Sequence, residues 1–281
     1  MKISIVIPVY NEANQLSTCL EAIASQSTKP YEVIVVDNNS DDDSLAIAKK
    51  YSFVKVLEEN RQGVVHARAT GYDYCSGDII ARIDADSILP ADWLANIEAV
   101  FSDPSIDGVS GVALYYNVSF DYIFNAIDLY FKRKLSRQME NHMYLWGANM
   151  AMRKRAWDKV KNQLCMKGKM HEDYDIAIHM QELGLNIVFD ERLKARVSSR
   201  RIDTDFISFM RYVWRSPDTY LQHDIKVLRY MYPIVLVCAV GYLPARILHR
   251  GYDSDIDGFR LAKLLETNTE LARVDPTANV A

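Results

Sequence analysis

The sequence predicts an α/β fold: a mostly parallel sheet flanked by helices, followed by a helical C-terminal extension. Three observations carry this reading. Short β-branched runs alternate with amphipathic stretches through the first half of the chain, as strands do when helices cover the sheet they form. Three of those runs end on polar clusters, and a parallel sheet collects its ligand at such ends. The last third is apolar and poor in strand signals.

Ile3–Pro8 is an apolar strand stopped by proline, and the helix Glu12–Ala24 sets Leu16, Leu20 and Ile23 on one face. Tyr31–Asp37 is a β-branched strand ending on a carboxylate. Asn38-Asn39-Ser40 turns the chain, and Asp41-Asp42-Asp43 opens a helix to Lys50, where acidic residues complement the helix dipole. Ser52–Leu57 is a third strand and Ala67–Cys75 lies in a helix. The strand Asp78–Ile83 then runs straight into Asp84-Ala85-Asp86.

After Asp107–Ala113 the pattern changes. Phe120–Met139 reads as a long aromatic and basic helix, Trp146–Met152 as a strand-like return, and Glu172–Leu183 as an amphipathic helix closed by Gly184. Asn186–Asp190 and Ala195–Ser199 read as two short strands. Tyr230–Ala245 is sixteen residues without a formal charge. A membrane span needs about twenty, and Pro233, Gly241 and Pro244 interrupt this run. It reads either as a buried core helix or as a segment lying in the membrane interface. These boundaries divide the chain into 1–202, a helical extension 203–266 and a flexible tail 267–281.

The 281 residues are 49% hydrophobic and 25% charged, an ordinary globular balance. The net charge of −4 gives no support to nucleic-acid binding. Tyr116 to Arg215 holds 18 Lys/Arg against 12 Asp/Glu, a local excess that suits either solvation or phosphates and anionic lipid. Cys19, Cys75, Cys165 and Cys238 show no CxxC pair and no histidine at zinc spacing, so they read as small core residues in a reducing compartment. The N-terminus reads as a strand, not a signal segment.

Asp84 and Asp86, two apart at a strand end, suit one hard cation whose other ligands come from a diphosphate. Asp37 either caps the next helix or accepts a uracil imide N–H. Glu172 and Asp173, after His171, either complement the helix dipole or supply a general base for an acceptor hydroxyl. Trp146-Gly147-Ala148-Asn149-Met150-Ala151-Met152 joins an aromatic to small residues that allow close backbone approach to a ligand; core packing explains them equally.

In this order the motifs resemble the family 2 glycosyltransferases of GT-A fold, a Rossmann-like architecture. Ser4-Ile5-Val6-Ile7-Pro8-Val9-Tyr10-Asn11-Glu12 is similar to that family's nucleotide loop, and Asp37-Asn38-Asn39-Ser40 to its second nucleotide contact. Gly77 to Asp86 is similar to its metal segment, Gly147-Ala148-Asn149 with Arg153 to the strand lining its pocket, and His171-Glu172-Asp173 to its acidic pair. The resemblance covers roughly residues 2 to 200 and makes 1–202 the transferase domain. It implies that Pro8, Tyr10, Glu12, Asp37, Asn39, Arg68 and Asp84 bind the nucleotide and that Asp86, with Asp84, holds Mg²⁺ or Mn²⁺. It implies Asp173 as base supported by Glu172, with Trp146, Gly147, Ala148, Arg200, Arg201, Trp214 and Arg215 around donor and acceptor.

The function so implied is metal-assisted, inverting transfer from a nucleotide-sugar, UDP favoured, to a glycan or lipid-linked acceptor in cell-envelope polysaccharide synthesis. The resemblance places it in the cytoplasm, in peripheral contact with the membrane. Two alternatives stand beside it: a polyprenyl-phosphate glycosyltransferase, and a catalytically silent nucleotide-binding scaffold. The sequence departs from the family in one respect. Where many relatives carry a histidine ligand, this chain reads Val197-Ser198-Ser199-Arg200-Arg201, so either the metal has fewer protein ligands or the two arginines neutralise phosphate.

Overall fold

The computed structural model describes residues 1–138, 143–165, 170–226 and 228–266. The expected tail 267–281 lies outside them. The first half folds as β1 (Ile3–Val9), α1 (Ala13–Ala24), β2 (Glu32–Asp37), α2 (Ser44–Ala48), β3 (Val54–Glu58), α3 (Val64–Tyr74), β4 (Ile79–Ile83) and α4 (Trp93–Phe101). The second continues with β5 (Gly108–Tyr116), α5 (Asp121–Gln138), β6 (Asn149–Arg153), α6 (Lys154–Val160), α7 (Glu172–Glu182), β7 (Ile187–Ser198), α8 (Phe206–Gln222) and α9 (Leu228–Arg250). A short hairpin, β8 (Tyr252–Asp253) with β9 (Gly258–Phe259), follows.

Seven strands make one sheet in the order β3-β2-β1-β4-β6-β5-β7, with β6 antiparallel to both neighbours and the other pairs parallel. Side-chain alternation sorts the central strands onto two faces. Ile5, Ile7, Val33, Val35, Ala81 and Ile83 pack with Leu16, Leu20, Trp93 and Ile97 of α1 and α4. Val6, Ile34, Val36, Ile80, Met150 and Met152 pack on the other face with Tyr72, Trp157, Ile176 and Met180 of α3, α6 and α7. Both faces are covered, so the strands read as continuous apolar runs.

The two short strands expected near the end of the sheet are one, β7, carrying a bulge. Its register against β5 shifts between Ser110 and Val112, and Phe189 and Lys194 pair on either side of the break. The Asn149 amide fills the gap, donating to Val112 O at 2.9 Å and Leu193 O at 2.7 Å while its Oδ1 accepts from Trp93 Nε1 at 2.8 Å. The polar interval in the sequence is that bulge.

The expected interruption of the apolar segment is also absent. α9 runs unbroken through Pro233, Gly241 and Pro244. An interior proline costs a helix about 3 kcal/mol, and tertiary anchoring offsets it. Tyr242 Oη donates to Thr204 O at 2.6 Å, Arg246 and Arg250 pair with buried Asp203, and Met231 and Val235 are buried. Tyr230–Arg250 is long and apolar enough to cross a membrane by length and composition, yet 22% of its apolar window is buried within the protein. Leu135, Tyr144, Tyr174, Ile178, Tyr220 and Met231 form a third cluster tying α5, α7, α8 and α9 together above the sheet.

Candidate active site

The carboxyl ends of β1 and β4, the loop before β6 and the N-terminus of α7 surround a cavity of about 540 Å³. Pro8, Tyr10 and Glu12 line one end. Arg82, Asp84, Gly147, His171, Glu172 and Asp173 line its middle, and α5, α8 and α9 wall the rest.

Alternation along β4 explains the polar centre. Arg82 shares the face of Ile80, on which α7 packs, so its guanidinium emerges under the first turn of that helix. It is 4% exposed and donates to Glu172 Oε1 at 3.0 Å and Asp84 Oδ1 at 3.3 Å. Asp173 accepts from the backbone N–H groups of Gly147 at 2.6 Å and Tyr174 at 3.0 Å. Gly147 is required by this approach, because a Cβ there would stand 2.3 Å from Arg82 Nη1 and 2.9 Å from Asp173 Oδ2.

The two carboxyls separate electrostatically. Burial, then the adjacent Glu172 charge, raises Asp173 to about 7. Burial works against Glu172 too, but Arg82 and then Arg68 outweigh it and hold that carboxyl low. A permanent anion beside a carboxyl poised near neutrality is a pairing suited to proton transfer. Burial holds the neighbouring His171 ring neutral at physiological pH, down at about 4. Arg68 stands behind the pair. It is fully buried, and none of its guanidinium nitrogens has a hydrogen-bond partner.

At the nucleotide end, Arg200 bridges two carboxylates: it pairs with Glu12 and donates to Asp86 Oδ2 at 3.1 Å. Asp86 Oδ1 is buried and accepts no hydrogen bond. An unpartnered carboxylate oxygen beside the cavity-lining Asp84 is a donor set that fits a hard divalent cation.

Residues 4–161, more than half the chain, match the family described as Glycosyl transferase family 2. The chain belongs to that family. Among curated relatives, "Glycosyltransferase AglE" of Haloferax volcanii is 38% identical over 127 residues, 43% of this chain and 40% of the relative. "Undecaprenyl-phosphate 4-deoxy-4-formamido-L-arabinose transferase" of Serratia proteamaculans is 36% identical over 108 residues, 35% of this chain and 33% of the relative. The chain thus matches well under half the length of either. The solved mannosyltransferase PcManGT of Pyrobaculum calidifontis, in complex with GDP-Man and Mn²⁺, superposes with a TM-score of 0.63 at 20% identity. That superposition covers 94% of this chain and 78% of the other, and shows a shared GT-A fold.

In this glycosyltransferase, Pro8, Tyr10, Glu12, Asp84, Trp146, Gly147, Ala148, Glu172, Asp173, Arg201 and Arg215 all face the one cavity. Others named from the sequence stand elsewhere. Asp37 is buried behind the nucleotide end, its Oδ2 accepting from Ser40 N at 3.3 Å and its Oδ1 unpartnered. Exposed Asn39, at φ 63°, ties the turn to Asn60 O and Gln62 Oε1. Arg200 is engaged by Glu12 and Asp86, so of the arginine pair it is Arg201 that reaches the cavity, stacked 3.7 Å over Tyr212. Trp214 does not close over the site. It is 43% exposed on the outer side of α8, against Tyr232 of α9.

Two features were missed. One is Arg82, which has no role in the sequence reading of the strand Asp78–Ile83, although a charge within Ile79-Ile80-Ala81-Arg82-Ile83 demands a buried partner. The other is the apolar end of the cavity, lined by Phe124, Ile127, Phe131, Val213, Ile234 and Cys238 of α5, α8 and α9. Lys132 enters it 4.0 Å above the Trp146 ring, paired with Asp128 at 2.6 Å. Residues so far apart in sequence give no motif.

Proposed function

We propose that this enzyme transfers a sugar from a nucleotide-sugar, UDP-linked, to a hydroxyl of a lipid-linked glycan acceptor, inverting the anomeric centre, with Asp173 as general base. The observation that carries the reading is the position of Asp173. It is half-buried, fixed by two backbone N–H groups, raised toward neutrality, and lies on the same cavity as Pro8 and Tyr10.

Pro8, Tyr10 and Asn38 line the end of the cavity that would hold the nucleoside, and Asp37 behind them would meet the base through its unpartnered Oδ1. Asp84 and Asp86 would hold Mg²⁺ or Mn²⁺, which when bound neutralises charge on the leaving diphosphate as a Lewis acid. Arg201 and Arg215 supply further positive charge along the cavity. The acceptor hydroxyl loses its proton to an Asp173 oxygen as its own oxygen forms the new bond to the anomeric carbon. The bond from that carbon to the diphosphate breaks on the opposite side. Arg82 keeps Glu172 ionised, and the Glu172 charge keeps Asp173 basic enough to act.

The apolar end of the cavity, walled by α5, α8 and α9, supports an acceptor with a hydrocarbon part, and the exposed apolar residues Leu236, Val240 and Leu243 of α9 support peripheral contact with the cytoplasmic face of a membrane. A second reading, transfer to a polyprenyl phosphate, is favoured by Lys132, Arg201 and Arg215 on the same walls. A phosphate acceptor is already anionic and needs no base. Calorimetric titration of UDP and GDP with and without Mn²⁺, on wild type and Asp86→Ala, tests donor and metal together. Mn²⁺-dependent UDP binding weakened by the substitution is expected; no nucleotide binding under any condition overturns the enzyme reading in favour of a silent scaffold. Asp173→Asn turnover then separates the acceptors: near-complete loss means a hydroxyl, retention means a phosphate.

A further inference from the structure

A second polar cluster stands on α7 beyond the catalytic carboxyls, and no spacing in the sequence points to it. Cys165 follows α6, Asp175 and His179 lie four apart on α7, and His223 ends α8. Their donor atoms, one from each residue, all lie within 4.8 Å of one another. His223 Nε2 is 2.9 Å from Asp175 Oδ1 and 4.0 Å from Cys165 Sγ, and His179 Nε2 is 3.5 Å from Asp175 Oδ1. Asp175 is 2% exposed, and its second oxygen accepts from Cys165 N at 2.9 Å.

We propose that Cys165, Asp175, His179 and His223 form a zinc site, separate from the cation site of the transferase reaction. The donor set is the mixed sulfur, nitrogen and oxygen set of tetrahedral Zn²⁺. A tetrahedron with zinc bond lengths spaces its donors about 3.3 to 3.7 Å apart, so these atoms need move only about 1 Å to close on the ion.

An independent observation at His179 points to a cation. Its Nδ1 lies 2.8 Å from Glu182 Oε2, and a carboxylate can only accept, so Nδ1 carries the proton. In the neutral ring Nε2 then presents a lone pair. That atom is buried, has no hydrogen-bond partner, and faces the Asp175 carboxylate. A lone pair facing an anion is unfavourable unless a positive charge lies between them. The carboxylate–histidine–metal relay is the arrangement that orients histidine ligands in zinc proteins. Cys165 is exposed, which gives the ion a path in. On binding, the Cys165 thiol releases its proton to solvent, and the His223 ring carries its single proton on Nδ1 instead of Nε2. The site would clamp α7, whose first turn carries Glu172 and Asp173, to the end of α8.

The test uses the full chain, stripped with chelator and titrated with Co²⁺ and Zn²⁺ alone, in wild type, Cys165→Ser, His223→Asn, Glu182→Gln and Asp86→Asn. Expected in wild type are one tightly held zinc and, with Co²⁺, intense tetrahedral d–d bands with a thiolate-to-cobalt charge-transfer band. Cys165→Ser should lose the charge-transfer band, His223→Asn the bound zinc, and Glu182→Gln roughly 10- to 100-fold in affinity. Asp86→Asn should keep all three signals, which separates this site from the catalytic cation. Absence of the charge-transfer band in folded wild type, or equal zinc retention in Cys165→Ser and His223→Asn, overturns the proposal. It would assign the cluster to a protonated His179 hydrogen-bonded to Asp175. The wild-type titration decides even where a variant fails to fold.

Discussion

Gly147 donates its backbone N–H to Asp173 Oδ2 at 2.6 Å, and the space where its Cβ would lie is taken by Arg82 Nη1 at 2.3 Å. Arg82 cannot retreat without breaking its buried contacts with Glu172 and Asp84. Gly147→Ala must therefore displace the loop that fixes Asp173. Overpacking of this kind costs about 1–3 kcal/mol, and misplacing a catalytic group by about 1 Å costs on the order of 10²-fold in rate. The expected result is a lowered Tm and a kcat reduced by about that factor, with nucleotide affinity nearly unchanged. Wild-type kcat in the variant would show that the Gly147–Asp173 contact has no part in the reaction.

The raised Asp173 carboxyl sets a pH dependence. A base works only when ionised, and burial followed by the Glu172 charge brings this one up to about 7. Its ionised fraction therefore falls as pH drops through that value, so kcat/KM should rise about tenfold per pH unit below 7 and level off above it. Asp173→Asn should abolish this limb and lower kcat by roughly 10²- to 10⁴-fold. A pH–rate profile on both proteins checks the assignment; an unchanged limb in Asp173→Asn places the base elsewhere.

Glu172→Gln gives a directional check on the same pair. It removes the anion that raises Asp173 and leaves the Arg82 charge, which lowers it, balanced by Asp84 alone. Both changes lower the pKa of Asp173, so the limb should move to more acid pH. The weaker base should also give a lower plateau. A limb that stays in place or moves to higher pH would contradict the coupling read from the geometry.

How much of this was legible in the sequence depended on whether the forces were local. β1, β2 and, apart from Arg82, β4 are largely apolar runs that lead into the polar segments after Val9, at Asp37 and at Asp84, and strands buried on both faces must read that way. Glu172 and Asp173 stood out because they open a helix. The β7 bulge did not, since what holds it is the Asn149 amide from another strand. Continuity of α9 through its prolines rests on Asp203 and Thr204, distant in sequence. The Cys165–His223 cluster is tertiary throughout: three elements bring it together, and no spacing rule finds it.

The outward face of α9 supports a prediction about membranes. Leu236, Val240 and Leu243 recur at helical spacing and are 65%, 71% and 62% exposed, so the fold gains little from them. Water meets them at a cost that a lipid interface removes, about 1.5 kcal/mol or more for each fully buried side chain. Tyr232, Val237 and Ile247 extend the exposed apolar surface along the same helix, and Ile207 and Trp214 extend it onto α8. Wild type should co-sediment with phosphatidylglycerol vesicles, and the triple variant Leu236→Ser, Val240→Ser, Leu243→Ser should lose at least about tenfold in partitioning. Serine costs an exposed helix only about 0.5 kcal/mol per site, so an unchanged near-UV spectrum would show that folding is intact. High salt should weaken the binding of both proteins only in part, because screening acts on the basic residues and leaves apolar burial in place. Equal co-sedimentation of wild type and triple variant would remove α9 from the membrane contact and leave the face to some other partner.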